Sequence, residues 1–516
     1  MKLTFREYKE KVMGCWMGKN IGGVLGAPFE AKRGVFDIDF YTQDLSGDPP
    51  PNDDLDLQLV WLNAVEKYGR HINASILGEY WLSFIIPNWA EYGAGKNNLR
   101  MGFVPPLSGY LENEYRDSCG CFIRSEIWAC LAPGYPELAA RYAYEDAIVD
   151  HSHEGMYGEI FCAAVQSAAF IEKDKYRLIA IGLSYIPEDC GVTHAITTAL
   201  EAYREGVGFK EARRRVMTAE PGSFGVQGSA LDEIPDDVPI GKAGYDAPSN
   251  IGIMIIGWLY GEDDFGKSLT LANNCGEDTD CTCATLGAIL GIIHGYSGIP
   301  EKWIKPIGDT ISTMCIAKMH GGVVIPRTVT ELTDRVLRLT PFFLGAELCD
   351  ILAGPEGYTI KVPSADKLFC VKGDTHVKGV GNGGKPTRLS LPELLKQSPF
   401  IVDYRFPLFD AQVDYMGLPY LSPGETKKLK LTLSDNAELG HCSNQWLQVK
   451  WHTPDGVRVL PNASNGPLKP QYREQTVFEF EITADSPVDS KLELILSISA
   501  NGRHSCGLIK IMYLSR

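Results

Sequence analysis

Two short stretches hold the residues best suited to chemistry. In GEDTDCTCATLGAILGIIHG (276–295), Glu277, Asp278 and Asp280 crowd the approach to an apolar, glycine-punctuated run. In DPPPNDDLDLQLVWLNAVEKYG (48–69), prolines stiffen the approach, Asn52 suits an N-cap, and Asp53, Asp54 and Asp56 occupy a first helical turn. Leu55, Leu59, Leu62 and Val65 then follow at helical spacing. Capping explains either cluster taken alone: Asn and Asp are favoured at helix starts, and a carboxylate there gains about 0.3–1 kcal/mol from the helix dipole. One cap needs one or two acids, however, and adjacent carboxylates repel and titrate as a set. A hard divalent cation between them removes the repulsion, and oxygen donors favour magnesium, manganese or calcium over zinc. The paired clusters therefore predict a metal site. Glu30, closing GGVLGAPFE just past a glycine-rich helix, joins them if the helices carrying these motifs pack closely.

Other signals are weaker. The CxC pairs Cys119/Cys121 and Cys281/Cys283 lack zinc-site spacing, which argues against zinc. His151 and His153 have no acid at helical ligand spacing and read as surface or substrate-side residues. GVGNGG (379–384) matches GxGxxG in form but runs into Lys385-Pro386 instead of opening a helix, so it reads as a loop. There is no GxSxG elbow. Trp446, Trp451 and Tyr472 could stack on sugar rings, but core packing is the better reading.

The elements that must position the acids are legible in the glycines. Gly14, Gly18, Gly22 and Gly26 recur every four residues, as do Gly287, Gly291 and Gly295. Each glycine costs about 1 kcal/mol in a helix interior relative to alanine, so ridges in register predict two central helices packed unusually close. Residues 155–171 read as a third, nearly all-apolar helix. The pattern is helical to about residue 345 and predicts an all-α domain over 1–350. Beyond that the period changes to two: KKLKLTLS, TVFEFEIT and KLELILSIS alternate apolar and polar residues, and Asn501-Gly502 reads as a hairpin turn. A β-sandwich accessory domain is expected over 355–516.

Composition sets outer bounds. A chain of 516 residues suggests two or three domains. A net charge of −16 argues against nucleic acid or an anionic membrane as partner, and no apolar run reaches membrane-spanning length. The absence of a signal-peptide pattern and the scattered, largely apolar context of the 14 cysteines predict a reducing cytoplasm.

With these residues in place, the chain resembles the ADP-ribosylglycohydrolases, also called the dinitrogenase-reductase-activating glycohydrolase family. The likeness rests on GCWMGKNIGGVLGAPFE (14–30), NDDLDLQL (52–59) and GEDTDCTCATLGAILG (276–291), with looser matches at Cys119–Arg124 and Ser152-His153, and spans roughly residues 5–340. The resemblance implies an orthogonal all-α bundle with an acidic cleft holding two divalent ions, Mg2+ or Mn2+. It assigns Asn52, Asp53, Asp54, Asp278, Asp280 and Cys281 to the metals. Glu30, Asp54 and Asp278 become catalytic candidates, with Glu30 positioning water or acting as general base. Cys119, Gly120, Arg124 and His153 fall on the substrate side. Departures from the family pattern are Asn52 and Cys281 in place of threonines, Gly23 in place of an aspartate and Cys119 in place of an asparagine. A thiol is a soft donor where a hard ion prefers a hydroxyl.

The expected function is metal-dependent hydrolysis of the C1 bond of an ADP-ribosyl or related ribosyl glycoside, on a small molecule or an ADP-ribosylated substrate. Glycoside cleavage passes through an oxocarbenium-like state that nearby anions favour. The alternative is a catalytically impaired sugar- or nucleotide-binding protein whose sandwich recruits a partner. A two-metal phosphoesterase is a third reading, although no Arg/Lys phosphate clamp is evident beyond Arg124.

Overall fold

A computed structural model describes residues 1–220, 244–317, 321–351, 357–371, 389–436, 444–469, 475–485, 490–504 and 506–515. The GVGNGG stretch and Tyr472 lie outside them. The chain divides into two compact units, one of residues 1–96 and 109–371, the other of 97–108 and 372–516.

The first unit is helical. The helices that build its centre are α1 (Phe5–Gly26), α2 (Asp53–Tyr68), α3 (Pro136–Ala147), α4 (His153–Ala169), α5 (Ala247–Tyr260) and α6 (Thr279–His294). α1 starts with a reciprocal cap: the Glu7 amide donates to Thr4 Oγ1 (3.3 Å) while the Thr4 amide donates to Glu7 Oε2 (3.0 Å). The glycine ridges of α1 and α6 face each other. A methyl group at Gly14 would strike the Gly291 carbonyl, one at Gly18 the Gly287 carbonyl, one at Gly22 the Cys283 carbonyl and one at Gly26 the Thr279 carbonyl. Rising numbers on one helix meet falling numbers on the other, so the pair is antiparallel. The C-terminal end of α1 therefore lies against the N-terminal end of α6. Six tryptophans of this unit, Trp16, Trp61, Trp81, Trp128, Trp258 and Trp303, are wholly buried among the surrounding helices. The unit is not purely helical: β1 (Lys2–Thr4), β2 (Cys349–Asp350) and β3 (Thr359–Lys361) form a small antiparallel sheet in the order β1-β3-β2. A strand of two or three residues is too short to leave a period-two pattern in the sequence.

The second unit is built on strands β4 (Ile401–Arg405), β5 (Phe409–Asp414), β6 (Tyr420–Leu421), β7 (Thr426–Asp435), β8 (Gln445–His452), β9 (Val457–Leu460), β10 (Ala463–Leu468), β11 (Thr476–Ala484), β12 (Lys491–Ala500) and β13 (Cys506–Ser515). They form two five-stranded sheets, β10-β8-β12-β13-β6 and β4-β5-β7-β11-β9. Alternation decides which side is buried: Leu429, Leu431 and Leu433, and Leu492, Leu494, Leu496 and Ile498, point inward. Asn501-Gly502 joins β12 to antiparallel β13, with Gly502 at φ +73° as such a turn requires. Trp451 on β8 meets Phe480 on β11 edge-on at 5.2 Å, in accord with the core reading for Trp451. Trp446 departs from it: at 47% exposure it lies on the solvent side, because its neighbours Leu447 and Val449 take the inward phase of β8.

Candidate metal centre

The antiparallel α1–α6 contact is what assembles the site. The chain leaving α1 turns through Ala27–Phe29 to Glu30, and a short bridge ties this exit to the approach of α6. The Ala31 amide donates to the Glu277 carbonyl (3.1 Å) and the Glu277 amide to the Lys32 carbonyl (3.0 Å). α2 delivers the other acids. Asn52 caps it, its Oδ1 accepting from the Asp54 amide at 2.7 Å, while its Nδ2 donates to Asp280 Oδ2 at 3.1 Å. The two acidic helix starts thus meet directly.

Each cluster divides into residues that stabilise the fold and residues that face the other cluster. Arg33 grips Glu277 with two hydrogen bonds (2.8 and 3.0 Å), and Arg213 stands 3.7 Å away, so this buried acid is neutralised. Asp56 accepts from the amides of Met314 (2.7 Å) and Cys315 (2.6 Å) and fixes that loop. The remaining four acids and Glu30 converge. Oxygens of Asp53, Asp54 and Asp280 lie within 4.8 Å of one another, as do those of Glu30, Asp278 and Asp280, and the thiols of Cys119 and Cys281 do the same with Asp278. Asp54, Asp278 and Asp280 are buried; Glu30 stands at the exposed rim.

Capping does not account for this arrangement. Asp278 occupies the N-cap position of α6, but its side chain makes no cap hydrogen bond. Asn52 performs that task for α2. Asp54 Oδ2 and Asp280 Oδ1 are buried with no hydrogen-bond partner. Crowded like charges oppose ionisation. The charge of Asp280, with partial desolvation at the rim and Asp53 adding to it, pushes the Glu30 carboxyl up to about 8. Burial and then Asp280 push Asp53 up to about 6 and Asp54 well above the carboxylate range. Burial also drives Asp278 well up, with Cys119 and Asp280 adding to it. Orphaned oxygens and repelling carboxyls drawn from two separate helices are the donor set a divalent cation requires.

The other candidates fall in different places. Cys119 reaches the cluster, its thiol donating to Asp278 Oδ2 at 2.6 Å, and the Cys281 thiol donates to Asp54 Oδ1 at 3.3 Å. Gly120 leaves no room for a side chain beside the Glu91 carboxylate. Arg124 is buried and wholly engaged: Nε donates to Asp146 (2.9 Å), and Nη1 to the Gly120 carbonyl (2.9 Å) and to Asp150 (3.2 Å). It braces the 119–120 turn from behind. The Asn52 oxygen accepts the cap hydrogen bond while its amide nitrogen faces Asp280. His153 is exposed, with its ring 5.8 Å from Tyr110. His151 is not a surface residue: it is buried, with Nε2 2.7 Å from Ser118 Oγ and Nδ1 3.0 Å from Asp150. Ser118 is equally buried and Asp150 already serves Arg124, so this serine–histidine–aspartate row braces the turn and presents no nucleophile.

Sequence reasoning missed three residues at the centre. Tyr92 donates its hydroxyl to Asp53 Oδ2 at 3.2 Å. Asn250, on α5, accepts the Asp278 amide at 3.1 Å. Tyr245 is half-buried, with Asp278, Glu30, Cys119 and Asp280 all near enough to raise its hydroxyl's pKa further than burial alone. None of the three belongs to an acidic cluster or a recognisable motif, and only the fold brings them to the centre.

A family model described as ADP-ribosylglycohydrolase matches residues 5–340. The chain belongs to the ADP-ribosylglycohydrolase family. Among curated relatives, the ADP-ribosylarginine hydrolase Tri1 of Serratia proteamaculans is 41% identical over 49 residues, 10% of this chain. The matched stretch spans only 13% of that relative's length. Among solved structures, an ADP-ribosylglycohydrolase-related protein complex aligns with 19% identity and a TM-score of 0.40, covering 66% of this chain and 99% of that one. A conjugative transposon lipoprotein from Bacteroides eggerthii aligns with 13% identity and a TM-score of 0.14, covering 22% of this chain and 93% of that one. The family match covers all three acidic motifs, and in this ADP-ribosylglycohydrolase-family chain they come together at one centre. No helix among the described residues is long and apolar enough to cross a membrane.

Proposed function

We propose that this protein is a divalent-metal-dependent hydrolase that cleaves the C1 glycosidic bond of an ADP-ribosyl or related ribosyl substrate. The observation that carries the reading is the convergence of Asp53, Asp54, Asp278, Asp280 and Glu30 from two helix starts and the end of a third helix. Asp53, Asp54 and Asp280 would hold one Mg2+ or Mn2+; Asp278 and Asp280, with Glu30 beside them, would hold a second. A bound ion of this kind orients ribose hydroxyls and makes a water molecule more acidic. Glu30, exposed at the rim, accepts the proton of the attacking water. The surrounding carboxylates favour the positive charge that grows on the sugar ring. Tyr92 holds the Asp53 carboxylate in orientation. The sheets of the second unit are read as the two faces of one sandwich.

A turnover screen tests this. ADP-ribosyl conjugates, O-acyl-ADP-ribose, nucleosides and simple ribosides are each offered with Mg2+ or Mn2+. Release of a free ribosyl product, lost in Asp54→Asn and Asp278→Asn, is the expected result; full activity in both variants overturns it. One observation favours a second reading, a binder with impaired turnover. The Cys281 thiol already caps Asp54 Oδ1 and the Asn52 amide caps Asp280 Oδ2, so two potential metal-facing oxygens carry protein donors. Tight calorimetric binding of an intact ADP-ribosyl ligand without turnover selects that reading.

A further inference from the structure

The cysteines that spacing alone excludes from metal binding are brought together by the fold. Cys119 comes from one CxC pair and Cys281 from the other, and the first cysteine of each pair meets at Asp278. We propose that Cys119, Cys281 and Asp278 form a buried three-donor site for a thiophilic divalent cation, Zn2+ or one of like chemistry, which shares Asp278 with the hard acidic cluster and leaves the Asp53–Asp54–Asp280 group to a hard ion.

All three donor atoms lie within 4.8 Å of one another, and neither cysteine is in a disulfide. The three residues are at most 7% exposed. The second observation is independent of the thiols: in the adjoining acidic group Asp54 Oδ2 and Asp280 Oδ1 are buried without a hydrogen-bond partner, so the carboxylates around the trio are not satisfied by protein donors. Zinc takes cysteine and aspartate ligands in a tetrahedron at about 2.3 and 2.0–2.2 Å, which sets sulfur and oxygen roughly 3.5 Å apart. Asp54 Oδ1, which accepts from the Cys281 thiol at 3.3 Å, belongs to the neighbouring acidic group, so the trio supplies three protein donors and leaves a fourth position for water. Cys119 Sγ and Asp278 Oδ2, now 2.6 Å apart, spread to admit the ion. Thiolate ligands favour zinc over magnesium or manganese, which prefer oxygen alone. Replacing hydroxyl or amide donors by two thiols therefore gives this centre a metal preference that its acids alone would not. The site stands whether or not the cleft turns over a glycoside.

X-ray absorption on the reduced, full-length protein loaded with one equivalent of Zn2+ tests the site. Two sulfur scatterers at about 2.3 Å are expected in the wild type. None is expected in the Cys119→Ser, Cys281→Thr double variant, with Mn2+ binding, followed by electron paramagnetic resonance, retained in both proteins. If the double variant does not fold, each single variant should lose one sulfur. A shell of oxygen and nitrogen only, an unchanged sulfur count in the variants, or no zinc uptake by the wild type overturns the proposal. The hydrolase reading fails on turnover, so the two failures are distinguishable.

Discussion

At the scale of single residues, the site is a set of acids that the fold does not satisfy by itself. Asp278 is the clearest case. Its side chain caps nothing, and its contacts are with the Cys119 thiol and with Asp280 of the same cluster, so it serves the centre and adds little to the fold. Asp278→Asn keeps the shape and removes the charge. The metal-free variant is expected to melt no lower than wild type, while the rise in melting temperature on adding Mg2+ or Mn2+ largely disappears; parallel melts with and without cation check both halves. Arg124 behaves in the opposite way. Its guanidinium compensates Asp146 and Asp150, both buried, and breaking such a pair from one side costs about 3–5 kcal/mol. Arg124→Met should lose an amount of that order in urea unfolding. Arg124→Lys should recover only part of it, because an ammonium does not reproduce the planar fork.

At the scale of elements, α1 and α6 set the geometry, and their glycines decide it. In an ordinary helix Gly→Ala stabilises by about 1 kcal/mol. At Gly18 the sign reverses, because the added methyl meets the backbone of Gly287, which cannot rotate away as a side chain does. Gly18→Ala should destabilise by about 2–3 kcal/mol or more and weaken cation binding with it, since prising the helices apart separates Glu30 from Asp278. Gly47→Ala, where nothing lies within 4 Å, serves as the neutral control for the same denaturation curves. This element was legible in the sequence: a four-residue glycine period has a steric meaning that no tertiary context alters. The alternation of β7, β11 and β12 was equally plain, because a face half in water must alternate. The division of labour within each acidic cluster was not. Glu277 and Asp56 match their neighbours in type and spacing, and only Arg33 and the amides of Met314 and Cys315, distant in the chain, tell them apart. The same limit hid Tyr92, Tyr245 and Asn250. It also hid the meeting of Cys119 with Cys281, since contiguous spacing describes one strand of a site and these thiols arrive on two.

At the scale of the whole molecule, the crowded acids couple stability to pH and to cations. Glu30 is raised from an ordinary 4.5 to about 8 and Asp53 from 3.8 to about 6, and Asp54 and Asp278 move in the same direction. When the chain unfolds, these groups return to ordinary values and release protons that the native state retains. Between roughly pH 4 and pH 8 the unfolded state therefore binds fewer protons, and native stability must fall as pH rises. The trend ends once the native carboxyls have ionised too, near pH 8 for Glu30. This is the reverse of the acid-labile behaviour of salt-bridged carboxylates, whose pKa values are depressed. A cation that binds the ionised cluster in the native state alone replaces the missing protons and stabilises in proportion to RT ln(1 + [L]/Kd). Protons compete with it at low pH, so its effect should grow as pH rises. Melting temperatures recorded from pH 5 to pH 8 should therefore decline in chelator and stay level, or decline less, in millimolar Mg2+ or Mn2+, with the widest gap at pH 8. A metal-free protein that gains stability over this range, or a cation effect equal at both ends, would mean that the five carboxyls do not share one charge-compensated centre.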